Sequence, residues 1–207
     1  IPFSETSPQI DGDMAPGEWG SASTIALTNE TFPTQNVPAL LDTMVYLMED
    51  GDYFYAAFVA QDPEPDKIRA FYRDRDSASQ DDMVGVVLDT FNDERRAFKF
   101  FSTPLGVQMD TILDDVNGNE DASWNAIWDS MGSITETGFI VEMRIPLHQL
   151  RFPGGLEEQT WGIDLVRFDP RDDRHRWTMN YRDFDISCYL CQLTKARGFS
   201  GLQPKTN

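Results

Sequence analysis

Residues 81–110 read DDMVGVVLDTFNDERRAFKFFSTPLGVQMD, and this stretch decides the fold. Val84, Val86 and Leu88 fall on one face of a strand, because successive side chains of a strand point to opposite sides. A polar turn at residues 92–94 brings the chain back in a second strand over residues 97–102. The pattern predicts an antiparallel β-hairpin with acidic residues at its rims.

The same alternation continues on both sides of this hairpin. A second hairpin is predicted over residues 43–48 and 53–60, where two apolar runs flank an Asp-Gly turn. Short helical turns are expected at residues 67–72 and 147–150. Further strands are predicted over residues 139–145, 161–168 and 177–181. Many short strands without a long amphipathic helix indicate an all-β protein, an antiparallel β-sandwich of jelly-roll type.

The charge of the chain limits the classes of partner. Its 207 residues include 17 basic and 35 acidic side chains, which gives a net charge of −18. Proteins that bind nucleic acids neutralise phosphates with Lys and Arg, so a nucleic-acid partner is not expected. Nor does any run approach the roughly 20 apolar residues of a membrane-spanning helix. The acidity suits a neutral ligand such as a sugar, or a divalent cation, unless it serves solubility alone.

The two cysteines are Cys188 and Cys191, three residues apart. In an exported protein such a pair would be oxidised, whereas in a cytosolic protein it could be redox-active. A closed zinc site needs four ligands, so one Cys-x-x-Cys segment would need two more. We favour a local disulfide between Cys188 and Cys191.

Several motifs follow one another in a distinctive order, namely Ile10-Asp11-Gly12 with Trp19, residues 43–48, Asp50, residues 53–59, and Asp81-Asp82 with Leu88-Asp89. This order resembles carbohydrate-binding module family 9. The more specific ones are Phe100, residues 104–110, 124–128 and 138–146, Leu150-Arg151-Phe152 and Trp161-Gly162-Ile163. These later motifs resemble a subfamily found at the N-terminus of bacterial outer-membrane proteins, ahead of a large β-barrel domain.

The resemblance implies both an architecture and a function. It implies a family-9 β-sandwich over residues 1–197, followed at residues 198–207 by a linker or truncated junction. The implied function is non-catalytic binding of a polysaccharide or oligosaccharide by an exported, outer-membrane-associated protein of the periplasm or cell surface, with the barrel as its C-terminal partner. Two alternatives stay open: an accessory or gating domain of the barrel that binds no sugar, and a haem-binding electron-transfer module.

Structural calcium is also implied by the resemblance, because family-9 modules hold this ion. Calcium takes six to eight oxygen ligands, commonly carboxylates and carbonyl groups. The candidate ligands are aspartates near strand ends or in loops, namely Asp62, Asp66, Asp81, Asp82 and Asp110. Alternatively, these aspartates cap turns or pair with Arg69, Arg73 and Arg75.

A sugar site needs exposed aromatic rings, because the C–H groups of a pyranose stack on them, together with hydrogen-bonding groups. Trp19 and Trp161 lie within apolar patterns and are assigned to the core. The predicted ligand-binding residues are Trp124, Trp128 and Trp177. Their polar neighbours are Asn125, Gln159, Asn180 and Arg182.

No enzymatic activity is predicted. Glycoside hydrolysis needs two carboxylates at a defined separation, and a chain with 35 acidic residues will contain such pairs by chance. Neither His148 nor His175 lies near a nucleophile motif.

Overall fold

Antiparallel strands make up the computed structural model, which describes residues 1–204. The strands are β1 (Ser23–Ala26), β2 (Asn29–Phe32), β3 (Val37–Pro38), β4 (Thr43–Glu49), β5 (Tyr53–Gln61), β6 (Met83–Asp89), β7 (Arg96–Ser102), β8 (Gln108–Asp114), β9 (Asn119–Asp121), β10 (Asp129–Thr135), β11 (Gly138–Pro146), β12 (Gln159–Asp169), β13 (His175–Thr178) and β14 (Thr194–Gly198). Short 3-10 helices occupy Pro65–Lys67, Leu147–Gln149 and Leu190–Gln192. In the part of the chain that the structure describes, no helix has the length and apolar character needed to cross a membrane.

The strands form two sheets. The smaller sheet has the order β1-β4-β5-β11-β10, and the larger has the order β3-β2-β13-β12-β6-β7-β8-β9. Strand β12 is long enough for two partners along one edge: β14 pairs with its first half and β13 with its second half. The predicted all-β antiparallel sandwich with short helical turns is confirmed.

The core lies between the two sheets, and the central hairpin supplies much of it. Val84, Val86 and Leu88 of β6 point inward and are almost fully buried, as their alternation predicts. The opposing sheet contributes the inward residues of β11, including Phe139 and Val141. Trp19 and Trp161 are buried as well, which confirms their assignment to the core.

The outer face of the smaller sheet is closed by the N-terminal segment. Trp19 packs there on Met48 and Tyr55. Its indole Nε1 donates a hydrogen bond to Glu142 Oε1 at 2.9 Å, and the backbone N–H groups of Asp11 and Gly12 donate to Glu142 Oε2 at 3.1 and 2.8 Å. A single buried carboxylate therefore fixes the segment that covers this face.

Two predicted local features differ in the structure. The helical turn expected over residues 67–72 ends at Lys67, because aspartates at the entrance of β6 draw the following backbone outward into an extended path. The N–H of Arg69 donates to Asp82 Oδ2 at 2.8 Å, and the N–H of Phe71 donates to Asp81 Oδ2 at 3.3 Å. The strand predicted over residues 177–181 is displaced toward the N-terminus, since β13 runs from His175 to Thr178.

The predicted domain boundary falls within packed structure. Strand β14 ends at Gly198, and the next residue, Phe199, is buried with its ring stacked on Trp161 at a centroid distance of 4.0 Å. The division at residues 197 and 198 stays a prediction, and residues 205–207 of the predicted junction lie outside the described residues.

Candidate functional site

The three tryptophans predicted to bind a sugar do not form an exposed platform. Trp128 and Trp177 retain 4% and 1% of their accessible surface. The Nε1 of Trp128 points to Asp110 Oδ1 at 3.4 Å, and that of Trp177 donates to Glu30 Oε2 at 2.9 Å. Internal carboxylates thus satisfy both indoles within the protein. Their assignment as sugar-stacking residues is wrong, because no flat indole face reaches the solvent.

Trp124 is half-buried and packs against two phenylalanines of β7. Its ring centroid lies 5.0 Å from that of Phe98 and 5.7 Å from that of Phe100. Phe100 also contacts Trp128, at 5.3 Å, so the structure brings Trp124 and Trp128 together as a packing cluster. Trp177 lies elsewhere, on β13.

Three of the five aspartates predicted to bind calcium, Asp62, Asp81 and Asp110, pair with arginines. Asp81 accepts from Arg73 Nε at 2.9 Å and lies 3.5 Å from Arg69 Nε. Asp110 pairs with Arg75 and also accepts the N–H of Ala126 at 2.6 Å. These contacts are the arginine pairs that the sequence offered as the alternative.

Asp62 and the two remaining candidate ligands are also dispersed. Asp62 pairs with Arg171, and Asp66 is exposed in the first 3-10 helix. Asp82 is buried, and burial raises the pKa of its carboxyl to about 7. Among residues 1–204, no three acidic, His or Cys side chains are grouped so that they could hold a metal ion. The five aspartates therefore do not fit a calcium site, because calcium needs several free oxygen ligands converging on one point.

The predicted disulfide between Cys188 and Cys191 is present, with a Cα–Cα distance of 5.6 Å. It lies in the segment between β13 and β14, which crosses the outer face of the larger sheet. Gln192 ties this segment together, since its side chain accepts from the N–H of Asp183 at 2.7 Å and donates to the carbonyl of Cys188 at 2.8 Å. Asn36 holds it from the β2–β3 loop by accepting the N–H of Arg182 at 3.0 Å.

The outer face of the larger sheet carries a second set of apolar side chains. Met83 and Val87 of β6, Phe101 of β7 and Val166 of β12 form a cluster separate from the core between the sheets. The segment with the disulfide covers part of this cluster through Leu190. Partial cover leaves two neighbouring hollows on this face.

The two hollows share a wall made of Phe168, Arg176 and Arg182. The first has a volume of about 290 Å³ and the second about 360 Å³, near the lower end of the roughly 300–1,000 Å³ of ligand pockets. We call this surface the arginine–aromatic face and define it by Phe32, Phe101, Phe168, Arg174, Arg176, Arg182, Phe184 and Tyr189.

Guanidinium groups lie over aromatic rings across this face. The Cζ of Arg174 is 4.3 Å from the centroid of Phe168. The Cζ of Arg182 is 4.8 Å from the centroid of Phe184 and 5.1 Å from that of Tyr189. Such stacking holds an arginine in place while the edge of its plane keeps N–H donors available.

A buried hydrogen-bond network supports the face from below. Tyr189 donates its hydroxyl to Asp164 Oδ2 at 2.6 Å, and Arg176 Nη2 donates to the same hydroxyl at 3.0 Å. Asn180 donates to Asp164 Oδ1 at 2.8 Å. Burial is the largest influence on both groups, and it raises the pKa of Asp164 and places the pKa of Tyr189 well above its usual value. The network fixes Arg176 and Tyr189 before any ligand arrives.

Gly85 sets the depth of this face. It pairs with Phe101 across β6 and β7, and the Phe101 ring lies directly over it. A Cβ atom at position 85 would collide with that ring and with the carbonyl oxygen of Phe100. Phe101 can lie low on the sheet because residue 85 has no side chain.

Sequence reasoning found only part of this face. Asn180 and Arg182 were expected to be polar neighbours of a sugar site, and both lie at it or beneath it. Phe101, Phe168 and Tyr189 were missed. A signal was present, since residues 83–88 are apolar at every position apart from glycine, which is typical of a strand covered on both faces.

Comparisons with known proteins agree with the resemblance of the motifs to carbohydrate-binding module family 9. The matching family model is described as carbohydrate family 9 binding domain-like, and it spans residues 10–185. No curated protein sequence matches the chain significantly.

Solved structures share the fold at low sequence identity. A Bacteroides uniformis protein with a provisional carbohydrate-binding description has a TM-score of 0.71 and 12% identity, over 99% of this chain and 96% of that chain. A family 9 module from Caldicellulosiruptor kristjanssonii in complex with glucose has a TM-score of 0.60 and 15% identity, over 100% and 97%. A structure of such a module from the same organism in complex with cellotriose has a TM-score of 0.62 and 15% identity, over 99% and 94%.

Proposed function

The chain belongs to the family described as carbohydrate family 9 binding domain-like, and from this premise we propose that it binds a polysaccharide or oligosaccharide on its arginine–aromatic face. Members of the family are non-catalytic binding domains. The observation that carries the proposal is a pair of neighbouring preformed hollows lined by aromatic rings and arginine donors.

The chemistry of this face suits a pyranose. Phe184 and Phe32 keep 40% and 53% of their surface exposed and lie at the second hollow, where they offer apolar surface to sugar C–H groups. Arg176 and Arg182 supply hydrogen-bond donors beside them. Because the supporting network already fixes Arg176 and Tyr189, binding costs little further ordering of these side chains.

The setting in which the module works is also part of the proposal. We propose an exported protein of the periplasm or cell surface, and the Cys188–Cys191 disulfide supports this, because disulfides persist in oxidising compartments. An outer-membrane barrel as C-terminal partner rests on the resemblance alone. The barrel-gating and haem-binding alternatives stay predictions, and a Soret band in the purified protein would reveal haem.

A glycan array followed by calorimetry tests the proposed function. The array should hold neutral and acidic glycans, including cellotriose. We expect at least one glycan class to bind, with affinity reduced about tenfold or more in Arg182→Ala, since a hydrogen bond from a charged donor is lost. The matched control is Arg95→Ala, an exposed arginine on the β6–β7 turn. Absence of binding across the array, or equal losses in both variants, would contradict the proposal.

A further inference from the structure

The second hollow differs from the rest of this acidic protein in its charge. It is lined by Thr31, by the aromatic rings of Phe32, Phe168 and Phe184, and by Arg174, Arg176 and Arg182. None of the described residues that line it is acidic. Three of the chain's 17 basic residues therefore meet in one hollow of a protein with a net charge of −18.

Two of these three arginines have no carboxylate partner. Arg176 lies 3.4 Å from Asp164. Arg174 and Arg182 form no ion pair with any residue in the described range 1–204. Their Nε atoms are buried and have no hydrogen-bond partner among the described residues. A guanidinium group without a carboxylate partner keeps its charge available, so an anion that enters the hollow can pair with Arg174 and Arg182.

Other acidic groups around this face are engaged elsewhere or line a different hollow. Asp115 accepts the backbone N–H groups of Tyr189 and Leu190 at 2.8 and 3.0 Å. Glu120 pairs with Lys99 at 2.6 Å. Asp183 lines a different hollow on the other side of Arg182. The charges of Arg174 and Arg182 are thus not neutralised by an ion pair among the described residues, whereas Arg176 lies against Asp164.

We infer that the glycan bound on this face is acidic, and that Arg174 and Arg182 bind a carboxylate or sulfate group of a pyranose whose ring lies against Phe32 and Phe184. This inference rests on the proposed carbohydrate-binding function and specifies its ligand class. Arginine suits the role, because its planar group offers paired N–H donors that match the oxygens of a carboxylate or sulfate.

The net charge of the chain does not oppose this inference. At physiological salt the Debye length is about 8 Å, so acidic side chains farther away are largely screened. Charges that line the hollow therefore dominate what an anion experiences there. The net charge of the chain favours a neutral ligand, whereas the positive charge that lines the second hollow favours an acidic one.

Matched pairs of polymers test the inference by calorimetry on the whole chain. The carboxylate pair is polygalacturonate and its methyl-esterified form, and the sulfate pair is dextran sulfate and dextran. We expect binding to one charged member and much weaker binding to its neutral counterpart. Arg174→Ala should weaken this binding about 10- to 100-fold, as expected for the loss of a hydrogen bond between charged groups.

Two further variants control for charge and for folding. Arg151→Ala changes the net charge equally at an exposed site away from the hollow and should bind as wild type does. Arg174→Lys keeps the charge without the planar group and should recover part of the affinity, even if Arg174→Ala is destabilised.

The outcomes separate this inference from the proposed function. Binding to polygalacturonate or to dextran sulfate identifies a carboxylate or a sulfate, respectively, as the anionic group. Binding to neutral glycans alone, with Arg174→Ala unchanged, overturns the inference and leaves the proposed function standing. Absence of any glycan binding, or equal losses in Arg174→Ala and Arg151→Ala, overturns both.

Discussion

The two outer faces of this sandwich differ in how they are covered. On the smaller sheet, residues 10–22 lie across the strands, and Trp19 and the backbone of Gly12 are fixed by the buried carboxylate of Glu142. On the larger sheet, the covering segment is held by a disulfide and by Gln192, and it leaves Phe184 and Arg182 around open hollows.

Under the proposed function, the closed face contributes stability and the arginine–aromatic face contributes ligand recognition. The closed face satisfies its polar groups internally, so changes there should affect unfolding and leave binding intact. The arginine–aromatic face keeps donors unpaired and rings exposed, so changes there should affect binding more than unfolding.

The largest expected effect is on the closed face. Trp19→Ala removes a buried indole and its hydrogen bond to Glu142, and it should lower the free energy of unfolding by about 3–5 kcal/mol. Urea denaturation measures this change, with the exposed Ile127→Ala as a control expected to stay within about 0.5 kcal/mol. Glycan affinity, measured where the variant is still folded, should not change. A loss of affinity without a loss of stability would reverse the roles of the two faces.

A second prediction concerns the interior at the end of the sandwich, which belongs to neither face. Burial raises the pKa of Asp82 to about 7 in the folded protein, above the value of about 3.9 of an unfolded chain. The folded state therefore holds this proton more tightly than the unfolded state does. The stability from Asp82 is complete below pH 4 and is lost as the pH rises to about 7, after which it stays constant.

Asp82→Asn tests this dependence, because asparagine cannot titrate. Between pH 4 and pH 8 the variant should gain on the order of 2–3 kcal/mol of stability relative to wild type. Phe184→Ala should keep the wild-type pH slope, since it changes only an outer face. An unchanged slope in Asp82→Asn would show that another group carries the titration.

A smaller effect is expected on the open face. Phe184→Ala removes a ring that is 40% exposed and stacked with Arg182. We expect glycan affinity to fall about five- to tenfold, or roughly 1–1.5 kcal/mol, with stability within about 0.5 kcal/mol of wild type. Phe91→Ala, at an exposed phenylalanine of the β6–β7 turn, is the matched control. Equal effects of the two variants would remove Phe184 from the binding site.

The smallest expected effect is that of calcium. The arginines that hold Asp62, Asp81 and Asp110 leave these carboxylates committed within the protein. We expect the Tm in calcium and in chelator to agree. A site filled at 100 times its dissociation constant would add roughly 2.7 kcal/mol, so a clear rise in Tm with calcium would show that the ion binds.

The fold was predictable because it depends on local alternation. Val84, Val86 and Leu88 had to share a face whatever they packed against, and the Asp-Gly turn fixed the register of β4 and β5. The prediction of a helical turn over residues 67–72 was wrong for a reason that lies outside the local sequence. The extended path of this segment depends on Asp81 and Asp82, which accept its N–H groups from ten and thirteen residues away.

The candidate site was predictable only in part, because residue type does not fix burial. Trp128 and Trp177 read as sugar platforms, yet Asp110 and Glu30 satisfy their indoles inside the protein. The same tertiary pairing took Asp81 and Asp110 out of the expected calcium site. Arg182, expected beside a sugar site, lies at the proposed ligand-binding face, in a polar segment between strands.

Because Gly85 has no Cβ atom, the Phe101 ring lies low on the sheet, and this position sets the shape of the proposed ligand-binding surface. Any larger residue there would push the Phe101 ring upward and fill the first hollow from its floor. A one-residue change in the middle of a buried strand would thereby alter which ligand sizes are admitted, without replacing any group that touches the ligand. Under the proposed function, a residue that no ligand touches would help to set the selectivity of this face.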